Sequence, residues 1–312
     1  ARRAGMESKM NTGEPLLRAA LIQGNIEQRM KWDPEWEEEI LETYEDLTRK
    51  AVAEAKQNGD LDLVVWPEAA VPFFPTDESA PGWRLRRLVN ETGVPILFGA
   101  PHYEARRYYN SAFLMQPGVE ELIRYDKNIL VPFGEYVPLT WLFFFVDKVT
   151  EVGGTDFTPG MGARPIELGD TRIGTLICYE GIFPELVRDF ERGGSDVLAN
   201  ITNDAWFGNT SAPWQHMATV RMRAIETRSF VLRAANTGIT TLIDPLGVAR
   251  EPTQLNERTY RIVAAGEDLS DTFYEKYGDV VVGLSTLGML ITAGFALIRR
   301  KKAPPPEESE DA

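Results

Sequence analysis

Three ionisable residues stand at places where the chain turns out of an apolar run. Cys178, the only cysteine, sits in TLICYEGIFPE, after Gly174 to Ile177 and ahead of Pro184. A thiol on a strand-to-helix turn can act as a nucleophile, because the turn exposes the sulfur and the N–H groups that follow favour thiolate and oxyanion. A lone cysteine after an apolar run is also what a buried small hydrophobe looks like. Glu68 closes DLVVWPE, where a carboxylate set against Trp66 and Pro67 is desolvated and becomes a candidate general base. Lys127 follows IRYD and precedes a loop shaped by Pro132 and Gly134. A protonated lysine is no base, but it can hold an oxyanion or keep a thiolate charged.

The elements that must position these residues are an alternation of strands and helices. LLRAALIQGNI (16 to 26) predicts a first strand, and residues 33 to 59 a long amphipathic helix with Ile40, Leu41, Tyr44, Leu47, Ala51 and Ala55 on its apolar face. LDLVVWPE reads as a buried strand. Further strands are expected in PILFGAPHYEA, YYNSAFLMQ, EELIRYD, TRIGTLI, SDVLANIT, FVLRAANTGITTLID and YRIVAAGE, with helices in PELVRDFERGG and PWQHMATVRMRAIETRS. The pattern predicts a leader over 1–15 and one α/β domain over 16–270. Neither an internal repeat nor a nucleotide fingerprint such as GxGxxG is present.

Composition narrows the function classes. The net charge of -14 argues against a nucleic-acid partner, which wants a basic surface. One cysteine leaves no internal disulfide and no cysteine-based zinc site, and His102 and His216 lack metal-ligand spacing, so no metal is expected and both histidines read as structural. Val280 to Ile298 carries no charge, and 19 such residues on a helix reach about 28 Å, close to the hydrocarbon core of a bilayer. Arg299 to Lys302 follow directly and predict a cytoplasmic end, with the main domain on the opposite face and 299–312 as a basic, then acidic, disordered tail. The first residues, ARRAGMESKMNTGEP, contain no apolar export core. With a domain outside the membrane, this predicts further membrane helices upstream.

Taken together and in order, Glu68 in WPE, Lys127 in YDKNILVPFGEYVP and Cys178 in ICYEGIFPE resemble the Glu-Lys-Cys triad of the nitrilase superfamily. QGNIEQRMKWDP, VPFGEYVPL, FTPG, ICYEGIFPELVR, NDAWFG and MRAIETRSFVLRAANTGITTLIDPLG are similar to the catalytic domain of the bacterial apolipoprotein N-acyltransferases, over about Ala19 to Gly247. The resemblance implies an αββα sandwich with a C-terminal transmembrane helix and no cofactor. It implies transfer of an acyl chain from a phospholipid, through a cysteine thioester, to the α-amino group of a lipoprotein S-diacylglyceryl-cysteine. It would make Cys178 the nucleophile, Glu68 the general base and Lys127 the oxyanion cation. Glu135, Tyr179 and Glu180 would support them, and Trp32 would lie in a substrate-proximal loop. It implies partners in the membrane of a bacterial cell, a phospholipid donor and an apolipoprotein acceptor, with the catalytic domain on the periplasmic side.

Some segments stay open between two readings. Trp32 and Tyr179 also fit ordinary packing, and Glu180 fits a carboxylate in the first turn of a helix. NDAWFG and NTGIT suit tight turns that scaffold a pocket. PLTWLFFFV holds Trp141, Phe143, Phe144 and Phe145 without a one-face period, as expected of an apolar lid for a lipid or of a core strand. The same three residues would also serve a membrane-tethered nitrilase-like amidase that hydrolyses a soluble amide, with water as the acceptor.

Overall fold

The computed structural model describes residues 15–77, 79–137, 156–267 and 272–302, with side chains up to 297. They fall into two compact units that meet between Asp271 and Thr272. The first is built on two six-stranded mixed sheets. One has β1 (Leu17–Gln23), β2 (Leu63–Val65), β3 (Ile96–Glu104), β4 (Arg107–Met115) and β5 (Ile123–Asp126), with the late strand β12 (Thr259–Ala265) beyond β1, in the order β12-β1-β2-β3-β4-β5. The other has β6 (Ile166–Leu168), β7 (Thr171–Ile177), β8 (Val197–Thr202), β9 (Val231–Ala235), β10 (Thr241–Ile243) and β11 (Ala249–Arg250), in the order β11-β10-β9-β8-β7-β6.

The sequence dictates burial of both faces of the first sheet. Side chains alternate along a strand, and here both sets are apolar. Ala19, Leu21, Leu63, Val65, Leu97, Ala112 and Leu114 face the core shared with the second sheet. Their neighbours Ala20, Ile22, Val64, Trp66, Ile96, Phe98, Phe113 and Met115 face the other way, onto α1 (Glu37–Ala55) and α2 (Ala80–Thr92). On the second sheet, Leu186, Val187 and Phe190 of α3 (Pro184–Arg192) and Val220 and Ala224 of α4 (Ala212–Thr227) join the shared core. The layers therefore run helix, sheet, sheet, helix. The helix expected over 33 to 59 is α1. Asp33 caps a single 3-10 turn ahead of it, its side chain accepting from the Glu35 N–H. The short strands β6 and β11 carry too few residues to show a period in sequence.

The parallel strands matter most for the site. β1, β2 and β3 run parallel, as do β7, β8 and β9. Their C-terminal ends deliver Glu68, Cys178 and Asn203 to one region, and β5, parallel to β3 through two antiparallel steps, delivers Lys127. Ligand sites in open α/β sheets form at such ends.

The second unit has α5 (Phe273–Tyr277) and α6 (Val280–Lys302). Val280–Leu297 has a mean hydropathy of 2.1 and none of it is buried. By length and composition the segment is apolar enough to cross a bilayer.

Gly99 holds the Glu68 corner. Its N–H donates to the Pro67 carbonyl at 3.1 Å and its carbonyl accepts from the Ala70 N–H at 2.9 Å. A Cβ here would stand 2.6 Å from Glu68 Cα and 2.7 Å from Ala69 N, both backbone atoms that cannot swing aside. Gly99→Ala is expected to cost roughly 1–3 kcal/mol of stability, read as a lowered denaturation midpoint. A midpoint equal to that of wild type would show the corner to be compliant.

Candidate active site

Lys127 is the centre of the site. It is 1% exposed, and its Nζ donates to Glu135 Oε1 at 2.8 Å and to Glu68 Oε1 at 3.3 Å. Burial alone would strip its proton. The charges of Glu68 and Glu135 outweigh that effect and hold the lysine well above its ordinary pKa, as a fixed cation.

The two carboxylates are fully supplied with donors. Asn110, from the middle of β4, gives 2.8 Å bonds from its Nδ2 to both Glu68 Oε1 and Glu135 Oε1. The Asn203 N–H, just past β8, reaches Glu68 Oε2 at 2.9 Å, and the Val131 N–H reaches Glu135 Oε2 at 2.8 Å. Lys31 Nζ donates to the Glu68 carbonyl at 3.1 Å. Glu68 is thus held by polar donors. The apolar setting expected from Trp66 is not its own: the Trp66 ring stacks on Tyr44 at 5.0 Å and gives its N–H to Thr48.

Cys178 opens a 3-10 turn, Cys178–Ile182, directly after β7, with a φ of 51°. This is the left-handed region that a side chain adopts only under constraint. Cys178 is half-buried as a residue and lines a cavity together with Glu68 and Lys127. Burial and the Glu68 charge push the thiol well above its usual range, while the Lys127 charge pulls the other way. On balance these influences favour the protonated thiol, so attack by this sulfur would need a base.

Glu180 ties the Cys178 turn to the Lys127 loop. Its Oε2 accepts from the Ile177 N–H at 2.8 Å. Its Oε1 accepts from the Asn128 N–H at 2.6 Å, the Tyr125 hydroxyl at 2.9 Å and the Ile129 N–H at 3.3 Å. Burial pushes its carboxyl up to about 7 against these donors, which favour the ionised form. A first-turn carboxylate serving only the helix dipole would not be buried among four donors.

The cavity, about 690 Å³, is mainly apolar. Val131, Pro132 and Phe133 form one wall, Tyr179 and Ile182 another, and Trp206 and Phe207 a third. Phe133, Trp206 and Phe207 are 50%, 53% and 40% exposed. Tyr179 packs edge-on against Phe183. Trp32 does not line this cavity, although its neighbour Lys31 touches Glu68. Trp141, Phe143, Phe144 and Phe145 lie outside the described residues. Among the described residues no cluster of His, Cys, Asp or Glu could hold a metal ion.

Sequence reading missed Asn110, the Asn203 N–H, Lys31 and the aromatic pair Trp206 and Phe207. NDAWFG, read as scaffold, supplies both the Asn203 N–H and the aromatic wall, and QGNIEQRMKWDP, quoted for its tryptophan, contains Lys31.

Two outcomes follow from these contacts. Asn110→Asp sets a third carboxylate against Glu68 and Glu135, so one of the three must keep a proton. The rate of Cys178 acylation by an activated ester is expected to fall by about 10²-fold, the scale of a disabled general base; an unchanged rate would remove Glu68 from that role. The Glu180 carboxyl is raised from 4.5 to about 7, so its contribution to stability is fully present below about 4.5 and is lost as pH rises to about 7. The stability of wild type relative to Glu180→Gln is expected to fall across that window by up to about 3 kcal/mol and to level off above it. Chemical denaturation of both proteins between pH 4.5 and 8 measures this, and a flat difference would place the carboxyl at its ordinary value.

Comparison with known proteins agrees with the geometry. The sequence pattern of the carbon-nitrogen hydrolase family matches residues 18–271. A Geobacter metallireducens protein named apolipoprotein N-acyltransferase is 45% identical over 289 residues, 91% of this chain and 54% of its own length. One of the same name from Methylococcus capsulatus is 40% identical over 75% of this chain and 45% of its own. The chain thus spans about half the length of the curated relatives it matches. Among solved structures, an amidase from Nesterenkonia sp. superposes with a TM-score of 0.61 at 21% identity, over 88% of this chain and 97% of the amidase, a likeness of fold alone. With the family pattern running through both sheets and all three strand-end residues, the chain belongs to the carbon-nitrogen hydrolase family.

Proposed function

We propose that the chain is the catalytic part of an apolipoprotein N-acyltransferase, moving an acyl chain from a phospholipid to the α-amino group of a lipoprotein S-diacylglyceryl-cysteine. The observation that carries this reading is the apolar cavity opening on Cys178, rimmed by exposed Phe133, Trp206 and Phe207. A soluble amide gains little from such walls, whereas each buried methylene of an acyl chain contributes about 0.8 kcal/mol. Relatives at 45% and 40% identity carry this name.

The residues support a two-step course. Glu68 takes the thiol proton as Cys178 Sγ attacks the ester carbonyl carbon of the phospholipid. Lys127, held cationic by Glu135, stabilises the oxyanion. The carbon–oxygen bond breaks, the lysophospholipid leaves with the proton from Glu68, and the acyl chain remains as a thioester. The neutral amine of the acceptor then attacks the thioester, Glu68 takes the amine proton, and the thiolate leaves and recovers that proton. Apolar walls that keep water from the thioester favour the amine over hydrolysis. In this reading α6 anchors the domain in the bacterial inner membrane, with Arg299 to Lys302 on the cytoplasmic side and the cavity on the periplasmic side.

Intact-mass measurement after incubation with phospholipid vesicles tests the reading: a long-chain adduct on wild type, absent from Cys178→Ala, is expected. Trp206→Ser combined with Phe207→Ser is expected to suppress the phospholipid adduct while leaving acylation by a short, soluble activated ester. An unmodified wild type that instead releases ammonia from simple amides would establish an amidase.

A further inference from the structure

His216, on α4, lines the same cavity and reaches the main chain of Cys178. Its Nε2 is 3.0 Å from the carbonyl oxygen of Cys178, and its Nδ1 is 3.0 Å from Asp204 Oδ1. A peptide carbonyl and a carboxylate oxygen can only accept, so Nε2 donates to Cys178 and Nδ1 to Asp204. Asp204 is fixed in turn: its Oδ2 accepts from Arg233 Nη2 at 2.8 Å, its Oδ1 from the Thr202 hydroxyl at 3.1 Å. Arg233 is fully buried and bonds Asn200 Oδ1 and the Ile239 carbonyl. Gly238 leaves room for this carboxylate, since a Cβ there would collide with Asp204 Oδ2. Asn200 Nδ2 adds a longer contact, 3.5 Å, to the same Cys178 carbonyl.

The Cys178 carbonyl and the Tyr179 N–H belong to one planar peptide and point to opposite edges of it. Fixing the carbonyl therefore fixes two groups at once: the left-handed Cys178 backbone that carries Sγ, and the Tyr179 N–H on the far edge. We propose that His216, held by the Asp204–Arg233 pair, is a positioning residue for acyl transfer, acting through the Cys178–Tyr179 peptide plane and not as a base on the thiol. This rests on Cys178 being the nucleophile and is independent of the identity of the acyl donor.

The test is the pre-steady-state burst of p-nitrophenolate from p-nitrophenyl butyrate, with Tm recorded for every variant. A glutamine amide can stand where Nε2 stands, whereas an asparagine amide stands where Nδ1 does. His216→Gln is expected to keep most of the burst rate. His216→Asn and His216→Ala are expected to lose about 10²-fold in the rate at saturating ester, the scale of a small misplacement of reacting groups, with the half-saturating ester concentration unchanged. A structural role would make all three losses follow Tm, and a role as cavity wall would raise the half-saturating concentration alone; either result overturns the proposal. A burst that survives Cys178→Ala would overturn the nucleophile reading itself, and the positioning role with it. A burst removed by Cys178→Ala but indifferent to all three His216 variants would overturn the positioning role alone.

Discussion

A lysine ammonium sealed between two carboxylates is the constraint around which this domain is built. An ion pair taken out of water survives only when each charge is paired and its remaining hydrogen-bonding capacity is met; removing one partner typically costs 3–5 kcal/mol. Lys127, Glu68 and Glu135 meet that condition because Asn110, the Asn203 N–H and the Val131 N–H complete the two carboxylates. Each donor comes from a different segment. The charge cluster therefore ties together the middle of β4, the end of β8 and the loop after β5.

The same demand joins the two sheets. Asn203 crosses from the end of β8 to Glu68, and Asn128 and Ile129 cross from the Lys127 loop to Glu180. Asn236, just past β9, exchanges two bonds with the Ile26 backbone at 2.7 and 2.9 Å. These polar bridges lie at the strand ends that deliver the site, whereas the core shared by the two sheets is apolar. Apolar packing tolerates sliding; directional hydrogen bonds to backbone groups do not. Registry of one sheet on the other is thereby set where the cavity needs it.

What could be read in the sequence was what leaves a local trace. Continuous apolar runs marked the longer strands, and the three ionisable residues stood out because each followed such a run. Motif resemblance added the layered fold. The partners left no trace of that kind. Asn110 sits mid-strand among aromatics, where nothing local marks it as the bridge between two carboxylates. The bond to Glu68 from Asn203 spans 135 residues and uses a main-chain N–H, which no side-chain pattern can announce. His216 looked like a structural histidine on a helix, and only the packing of α4 against the turn puts it on the Cys178 carbonyl. The setting of Glu68 was misjudged for a related reason: its neighbours in sequence are Trp66 and Pro67, but its neighbours in space are polar.

The positive φ of Cys178 also has a meaning for how this protein can change. A side chain in that region costs the fold of order 1–3 kcal/mol, and glycine adopts it with no such penalty. The position thus sets stability against activity. Replacement by glycine would relieve the backbone while abolishing the thiol, so a lineage released from the reaction could gain robustness by the very substitution that silences it.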